Sequence, residues 1–198
     1  MNQYLFDVAS PNAYLAHRLL PAIEQRTGRR FTYVPVLLGG LFKLGGSQSP
    51  MMAFANIPSK LAYERLEMTR FIARHGLSKF RMNPHFPVNT LMAMRGAVAA
   101  EAEGLLAPYA EAMFVAMWEQ GLKLDDPAVL GQAIADAGLP AECLLARAQD
   151  QAIKDRLLAN TRAAHDAGAF GLPSFLVGDD LFFGKERLAQ VEQAMAAG

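Results

Sequence analysis

The apolar positions of this chain change period along its length. From Gln3 to Val8 the residues are mostly apolar and β-favouring, and Ser10-Pro11 then supplies a helix cap followed by a residue preset for the first turn. The spacing of Tyr14, Leu15, Leu19 and Ile23 predicts a helix from about Asn12 to Arg26, kinked where Pro21 lacks a backbone donor and closed by Gly28. Phe31 to Val36 alternates as a second strand, and Pro35 restricts it to an edge or to the strand's end. The chain therefore opens as β-α-β.

Leu38 to Pro50 reads as a glycine-punctuated loop, with Gly39-Gly40 and Gly45-Gly46 as its breaks. From Lys60 to about Arg162 the pattern is helical throughout. Asn89 caps a segment running to Glu103, Pro108 opens another, and Asp126-Pro127 repeats the cap-then-proline signature of a third, which Gly138-Leu139-Pro140 ends. Four or five helices are expected, with Met and Ala on their apolar faces as core. After Gly171 the period of two returns. Ser174–Val177, turn chemistry at Gly178-Asp179-Asp180 and Leu181–Phe183 predict a hairpin, and a last helix follows Gly184. A right-handed crossover joins the first strand pair and the hairpin extends the same sheet. The expected fold class is α/β, a thioredoxin-like fold with an all-helical insertion. Residues 1–40 and 163–198 form the thioredoxin-like domain, and 41–162 the connecting loop and inserted helical domain.

Composition narrows what such a fold does. Nineteen basic residues balance nineteen acidic ones, so no basic field exists to collect phosphates, and nucleic acid is not an expected partner. Glu101, Glu103, Glu111 and Glu119 interrupt the most apolar region before the roughly 18 residues of a membrane span are reached. The N-terminus lacks a basic segment followed by an apolar one, so the expected location is cytoplasmic. One cysteine, Cys143, excludes an internal disulfide and a Cys-x-x-Cys site, and it is read as a buried, inert thiol. His17, His75, His85 and His165 are too scattered for a local metal-ligand pair.

Three segments carry chemistry. Phe6-Asp7-Val8-Ala9-Ser10-Pro11-Asn12-Ala13 ends a strand and starts a helix, the corner where thioredoxin-like proteins place Cys-x-x-Cys. Here those positions hold Ser10 and Ala13, which removes dithiol chemistry and leaves a hydroxyl able to donate to another molecule's thiolate. A serine that only caps its helix is the alternative. In Phe170-Gly171-Leu172-Pro173-Ser174, a cis Leu172-Pro173 bond would let the Leu172 amide and carbonyl pair with an extended peptide such as glutathione. An ordinary trans proline at a strand start is the plainer reading. In Phe183-Gly184-Lys185-Glu186-Arg187, backbone donors suit a carboxylate and Glu186 an ammonium group, although acidic residues are favoured in any first helical turn.

Together with Leu37-Leu38-Gly39-Gly40-Leu41-Phe42-Lys43 and His85-Phe86-Pro87-x-Asn89-Thr90, these segments resemble the kappa-class glutathione transferases and, more closely, the bacterial 2-hydroxychromene-2-carboxylate isomerases. The resemblance covers essentially the whole chain. It implies glutathione as cofactor, with Ser10 at the thiol, Leu172 before cis-Pro173 pairing with the cysteinyl backbone, Lys185 and Glu186 at the γ-glutamyl end, and Lys60 near the glycyl carboxylate. Two departures stand out. Where the family's glycine loop usually reads Ser-Gly-Asn this chain has Gly45-Gly46-Ser47, so the shorter Ser47 replaces a glutathione-holding amide. The last corner, commonly Trp-Gly-x-Asp-Arg-Leu, has Phe183 and Glu186 for the tryptophan and the aspartate.

The implied function is a glutathione-dependent isomerase of aromatic catabolism that interconverts 2-hydroxychromene-2-carboxylate and hydroxybenzylidenepyruvate. A kappa-type transferase acting on small electrophiles is one alternative, and a thioredoxin-fold scaffold that binds glutathione or a protein without chemistry is another. The expected partner is a small aromatic substrate, and the expected assembly is a homodimer, on the resemblance and on Met51, Met52 and Phe54 in the insertion.

Overall fold

Strand β1 (Asn2–Phe6) lies inside a four-stranded sheet of order β2-β1-β3-β4, in a computed structural model that describes residues 1–197. On one side β2 (Thr32–Pro35) runs parallel to it, with Leu5 opposite Val34 and Phe6 opposite Pro35. On the other side β3 (Ser174–Val177) runs antiparallel, with Leu5 opposite Ser174, and β4 (Asp180–Phe183) completes the hairpin around Gly178, whose φ of +60° suits glycine. Pro35 thus ends an edge strand, where its missing donor breaks no ladder.

Side-chain alternation gives β1 two buried faces. Tyr4 and Phe6 stack on one face, with Phe175 against Tyr4 and Tyr33 edge-on to both. Leu5 turns to the other face, where Val36, Leu41, Ala164 and Leu172 form a second, smaller core. The larger core runs from the first face into the helical insertion through Phe114 and Trp118, and the Trp118 indole donates to the Val8 carbonyl at 2.8 Å.

The crossover between β1 and β2 is two helices, α1 (Pro11–His17) and α2 (Leu20–Thr27), instead of one kinked helix. Pro21 sits in the first turn of α2, where backbone donors lack helical partners in any case, so the chain breaks at Arg18-Leu19 and restarts. Gly28 closes α2 at φ +67°. The glycine-rich stretch is also helical over α3 (Leu38–Leu44), followed by α4 (Pro50–Ala53) and α5 (Pro58–His75). Gly40 explains the first of these corrections: a Cβ there would come within 2.9 Å of the Thr161 methyl, so glycine lets α3 press against α10 (Gln151–Asp166).

Between them lie α6 (Leu91–Ala102), α7 (Leu106–Trp118), α8 (Pro127–Asp136) and α9 (Ala141–Arg147). Asp126 caps α8 by accepting from Ala128 N at 2.9 Å, whereas Thr90 holds the cap position of α6 and Asn89 accepts from Leu91 N. Cys143 is exposed, which overturns the buried thiol read from the sequence: Leu144 is the inward residue of α9, and its neighbour one position earlier points away. A 3-10 turn, Lys185–Arg187, leads into α11 (Leu188–Ala197). The boundaries at 40/41 and 162/163 fall within α3 and α10, the helices that link sheet and insertion. No helix among the described residues is long and apolar enough to cross a membrane.

Candidate active site at the Ser10 corner

Ser10 is the N-cap of α1 and is 4% exposed. Its hydroxyl oxygen accepts the Ala13 N–H at 3.1 Å, and its proton goes to the Leu172 carbonyl at 2.8 Å. Pairing of β1 with β3 brings these residues together, because Leu5 opposite Ser174 sets the chain just after one strand beside the chain just before the other. The Leu172-Pro173 peptide is cis. Among the described residues the Leu172 N–H donates to no protein acceptor, so one of the two backbone groups expected to meet a peptide is free and the other is engaged by Ser10.

Asp7 holds this corner from behind and is 1% exposed. Its carboxylate accepts from Ala9 N at 2.9 Å, Leu38 N at 2.8 Å and the Thr90 hydroxyl at 2.7 Å, while its backbone carbonyl accepts Ser10 N. Burial pushes the Asp7 carboxyl above its ordinary value, and those hydrogen bonds pull it back down. One side chain thus ties the turn carrying Ser10 to the starts of α3 and α6. In the sequence, the only sign of this role of Asp7 is a single acid inside an apolar strand end.

Lys185 and Glu186 pair with each other on the 3-10 turn that packs against α1. Lys185 is 4% exposed, and its ammonium lies 5.1 Å from the centre of the Phe71 ring. The other two expected residues stand apart from Ser10 in their contacts. Ser47 is exposed and donates its N–H to the Phe42 carbonyl, while Lys60 lies 3.8 Å from Glu64 and over the Phe54 ring. The buried Oδ1 of Asn12, two residues beyond Ser10, has no hydrogen-bond partner.

A strand-to-helix corner facing a cis-proline, with a helical block between two strand pairs, is matched over residues 3–196 by the DsbA-like thioredoxin domain. The chain belongs to that family. It is 25% identical over 194 residues to 2-hydroxychromene-2-carboxylate isomerase of Pseudomonas putida, covering 97% of this chain and 92% of that protein. To glutathione S-transferase kappa 1 of Rattus norvegicus it is 26% identical over 199 residues, covering 94% and 86%. The solved structure of a selenomethionine 2-hydroxychromene-2-carboxylate isomerase superposes with a TM-score of 0.84 at 24% identity, covering 99% of this chain and 94% of that one.

Within the DsbA-like frame, Ser10 and Ala13 leave no thiol at the corner, so any sulfur chemistry there requires a sulfur from outside. The same frame carries a polar cluster that sequence reasoning missed. His17, at the end of α1, contacts Glu111 of α7 at 2.8 Å through Nε2 and the Tyr33 hydroxyl of β2 at 3.1 Å through Nδ1. Arg18 adds bonds to Glu111 at 2.7 Å and to Glu119, which also accepts from the Tyr14 hydroxyl. The His17 and Arg18 contacts lower the Glu111 carboxyl to about 2. Separations of about a hundred positions hide such a cluster from any local pattern. It clamps the insertion onto the crossover, beside a cavity of about 410 Å³.

Proposed function

We propose that this chain is a cytoplasmic, glutathione-dependent isomerase that interconverts 2-hydroxychromene-2-carboxylate and hydroxybenzylidenepyruvate. The observation that carries the reading is the Ser10 hydroxyl against the Leu172 carbonyl, in a corner where the fold family places thiol chemistry and this chain has no thiol.

The residues present fit the tripeptide. Ser10 would turn its proton from Leu172 toward the sulfur while keeping the Ala13 N–H bond, and the same exchange frees the Leu172 carbonyl for a peptide N–H. The Leu172 N–H is a ready donor to a peptide carbonyl. The opposite charges of Lys185 and Glu186 match a zwitterionic γ-glutamyl head. By the family resemblance, Lys60 would lie near the glycyl carboxylate and Ser47 would stand in for a glutathione-holding amide.

When bound, glutathione would supply a nucleophilic thiolate able to add reversibly to a conjugated carbon-carbon double bond. A free thiol of this kind titrates at about 8.5. Donation from Ser10 favours the charged form, so a larger fraction is reactive at neutral pH. Asp7 keeps the Ser10 turn fixed so that the donor needs no reorganisation during the reaction.

A kappa-type transferase acting on small electrophiles is the second reading, favoured by the 26% identity to the rat enzyme. Assays with a chromene and with an aryl halide, each with and without glutathione, separate the two. Turnover of the chromene only with glutathione supports the isomerase, turnover of the halide supports the transferase, and glutathione binding without turnover leaves a scaffold. We further propose a homodimer, supported by the exposed Met51, Met52 and Tyr63 on α4 and α5. Light scattering that detects only a single-chain mass at micromolar concentration would exclude it.

A further inference from the structure

Helix α5 has no buried residue along its 18 residues, and Phe71 is among the few side chains it rests on the core. Between that helix and the Lys185-Glu186 turn lies a cavity of about 270 Å³, roomy enough for an amino-acid-sized group. Its charged walls are unbalanced. Arg70 is committed to Glu67 at 2.5 Å and Lys185 to Glu186, but Arg74, also in the wall, makes no ion pair among the described residues. The His75 ring lies tilted against Phe71, with ring centres 4.4 Å apart and planes 48° from parallel. Burial there, followed by the neighbouring Arg74, holds the imidazole below its ordinary pKa, so His75 is neutral at pH 7 and the excess positive charge rests on Arg74.

An unpaired guanidinium, a nearly buried ammonium and an aromatic wall make a site for a carboxylate carried on a compact body. We propose that this cavity is a carboxylate subsite, with Arg74 as its specificity-determining residue and Lys185 as its second cation. The carboxylate has two available sources: the amino-terminal α-carboxylate of the bound peptide thiol, which rests on the glutathione reading above, or the carboxylate of the aromatic 2-oxo acid, which does not require it.

Calorimetry on the full chain and on Arg74→Gln, at pH 7 and two salt concentrations, separates these sources. The probes are glutathione, a glutathione analogue lacking the amino-terminal α-carboxylate, and hydroxybenzylidenepyruvate alone. Arg74 is exposed and bonded to no other side chain, so the variant should melt with the parent, and its melting curve checks this. Loss of one charge-assisted contact should weaken the carboxylate's carrier by about tenfold and flatten its salt dependence. If glutathione loses that factor and the truncated analogue does not, the peptide is the source. If only the 2-oxo acid loses it, the substrate is. Equal losses for glutathione and its analogue, or unchanged affinity for all three probes, overturn the subsite. Failure of glutathione to bind the unaltered chain overturns the cofactor reading instead, and the 2-oxo acid then decides the subsite alone.

Discussion

The hydroxyl of Ser10 and the carbonyl of Leu172 are 162 positions apart in sequence and share a 2.8 Å hydrogen bond. That bond makes Ser10 more than a cap, because the same oxygen that satisfies Ala13 N also fixes the residue before Pro173. Replacing Ser10 with Ala removes both contacts. The cap alone is worth about 1 kcal/mol, and the unpaired Leu172 carbonyl adds about 1–3 kcal/mol.

Ser10→Ala should therefore remain folded with a lower denaturant midpoint. If Ser10 is the thiolate donor, turnover at pH 7 should also fall on the order of tenfold to hundredfold, since a hydrogen bond to a charged acceptor is worth about 1.5–3 kcal/mol. Raising the pH should restore part of that loss. The ultraviolet absorbance of the thiolate, followed against pH in both complexes, reports the cause directly. Coincident titrations with unchanged turnover would reduce Ser10 to its structural role.

Trp118 gives a second test, because it is the chain's single tryptophan and is fully buried. Its ring stacks on Phe80 at 5.9 Å while its N–H holds Val8, just ahead of the Ser10 corner. Trp118→Phe keeps much of the apolar contact but leaves the Val8 carbonyl without its partner, a loss of about 1–3 kcal/mol. Urea unfolding followed by circular dichroism measures it. In the parent chain, tryptophan emission should be blue-shifted and move red in the same transition, and an emission change preceding the loss of helix would show that this contact opens separately.

Much of the architecture is legible in local chemistry. Ser10-Pro11, Gly28, Asp126-Pro127 and Gly178 each mark a boundary with a side chain or a φ value that acts within a few residues. What local chemistry hides is set by distant neighbours. Gly39 and Gly40 carry low helix propensity and read as a loop, yet packing on α10 makes them helical. At the site, the Ser10 corner is visible in sequence as an altered thiol position. The donors to Asp7 come from residues 9, 38 and 90, a convergence that only the fold reveals.

The two glycines of α3 should consequently respond in opposite directions. A Cβ at Gly39 meets nothing within 4 Å, so Gly39→Ala should stabilise by about 0.5–1 kcal/mol through helix propensity. At Gly40 the new methyl meets the Thr161 Cγ2 at 2.9 Å, and Gly40→Ala should destabilise by about 1–3 kcal/mol. Thr161→Ser deletes that methyl and keeps the hydroxyl that accepts from Leu37 N and donates to Leu157 O. The double variant should recover most of the loss in thermal melts, and purely additive effects would place the strain elsewhere.

Glu111 supplies the pH test. Its carboxyl is lowered to about 2 in the folded chain by the His17 hydrogen bond first and by Arg18 after it, against about 4.3 in an unfolded chain. Because the folded value lies below the unfolded one, the ionised group contributes stability above roughly pH 4.3, and that contribution fades as the pH falls toward 2. Glu111→Gln should lower the melting temperature at pH 7, and the gap to the parent should shrink steadily in melts between pH 5 and pH 2. The side chain is 47% exposed, so salt should narrow the gap at neutral pH as well. A gap that stays constant across the acid range would mean that Glu111 acts through packing of its stem, and that its charge does not hold α7 to α1.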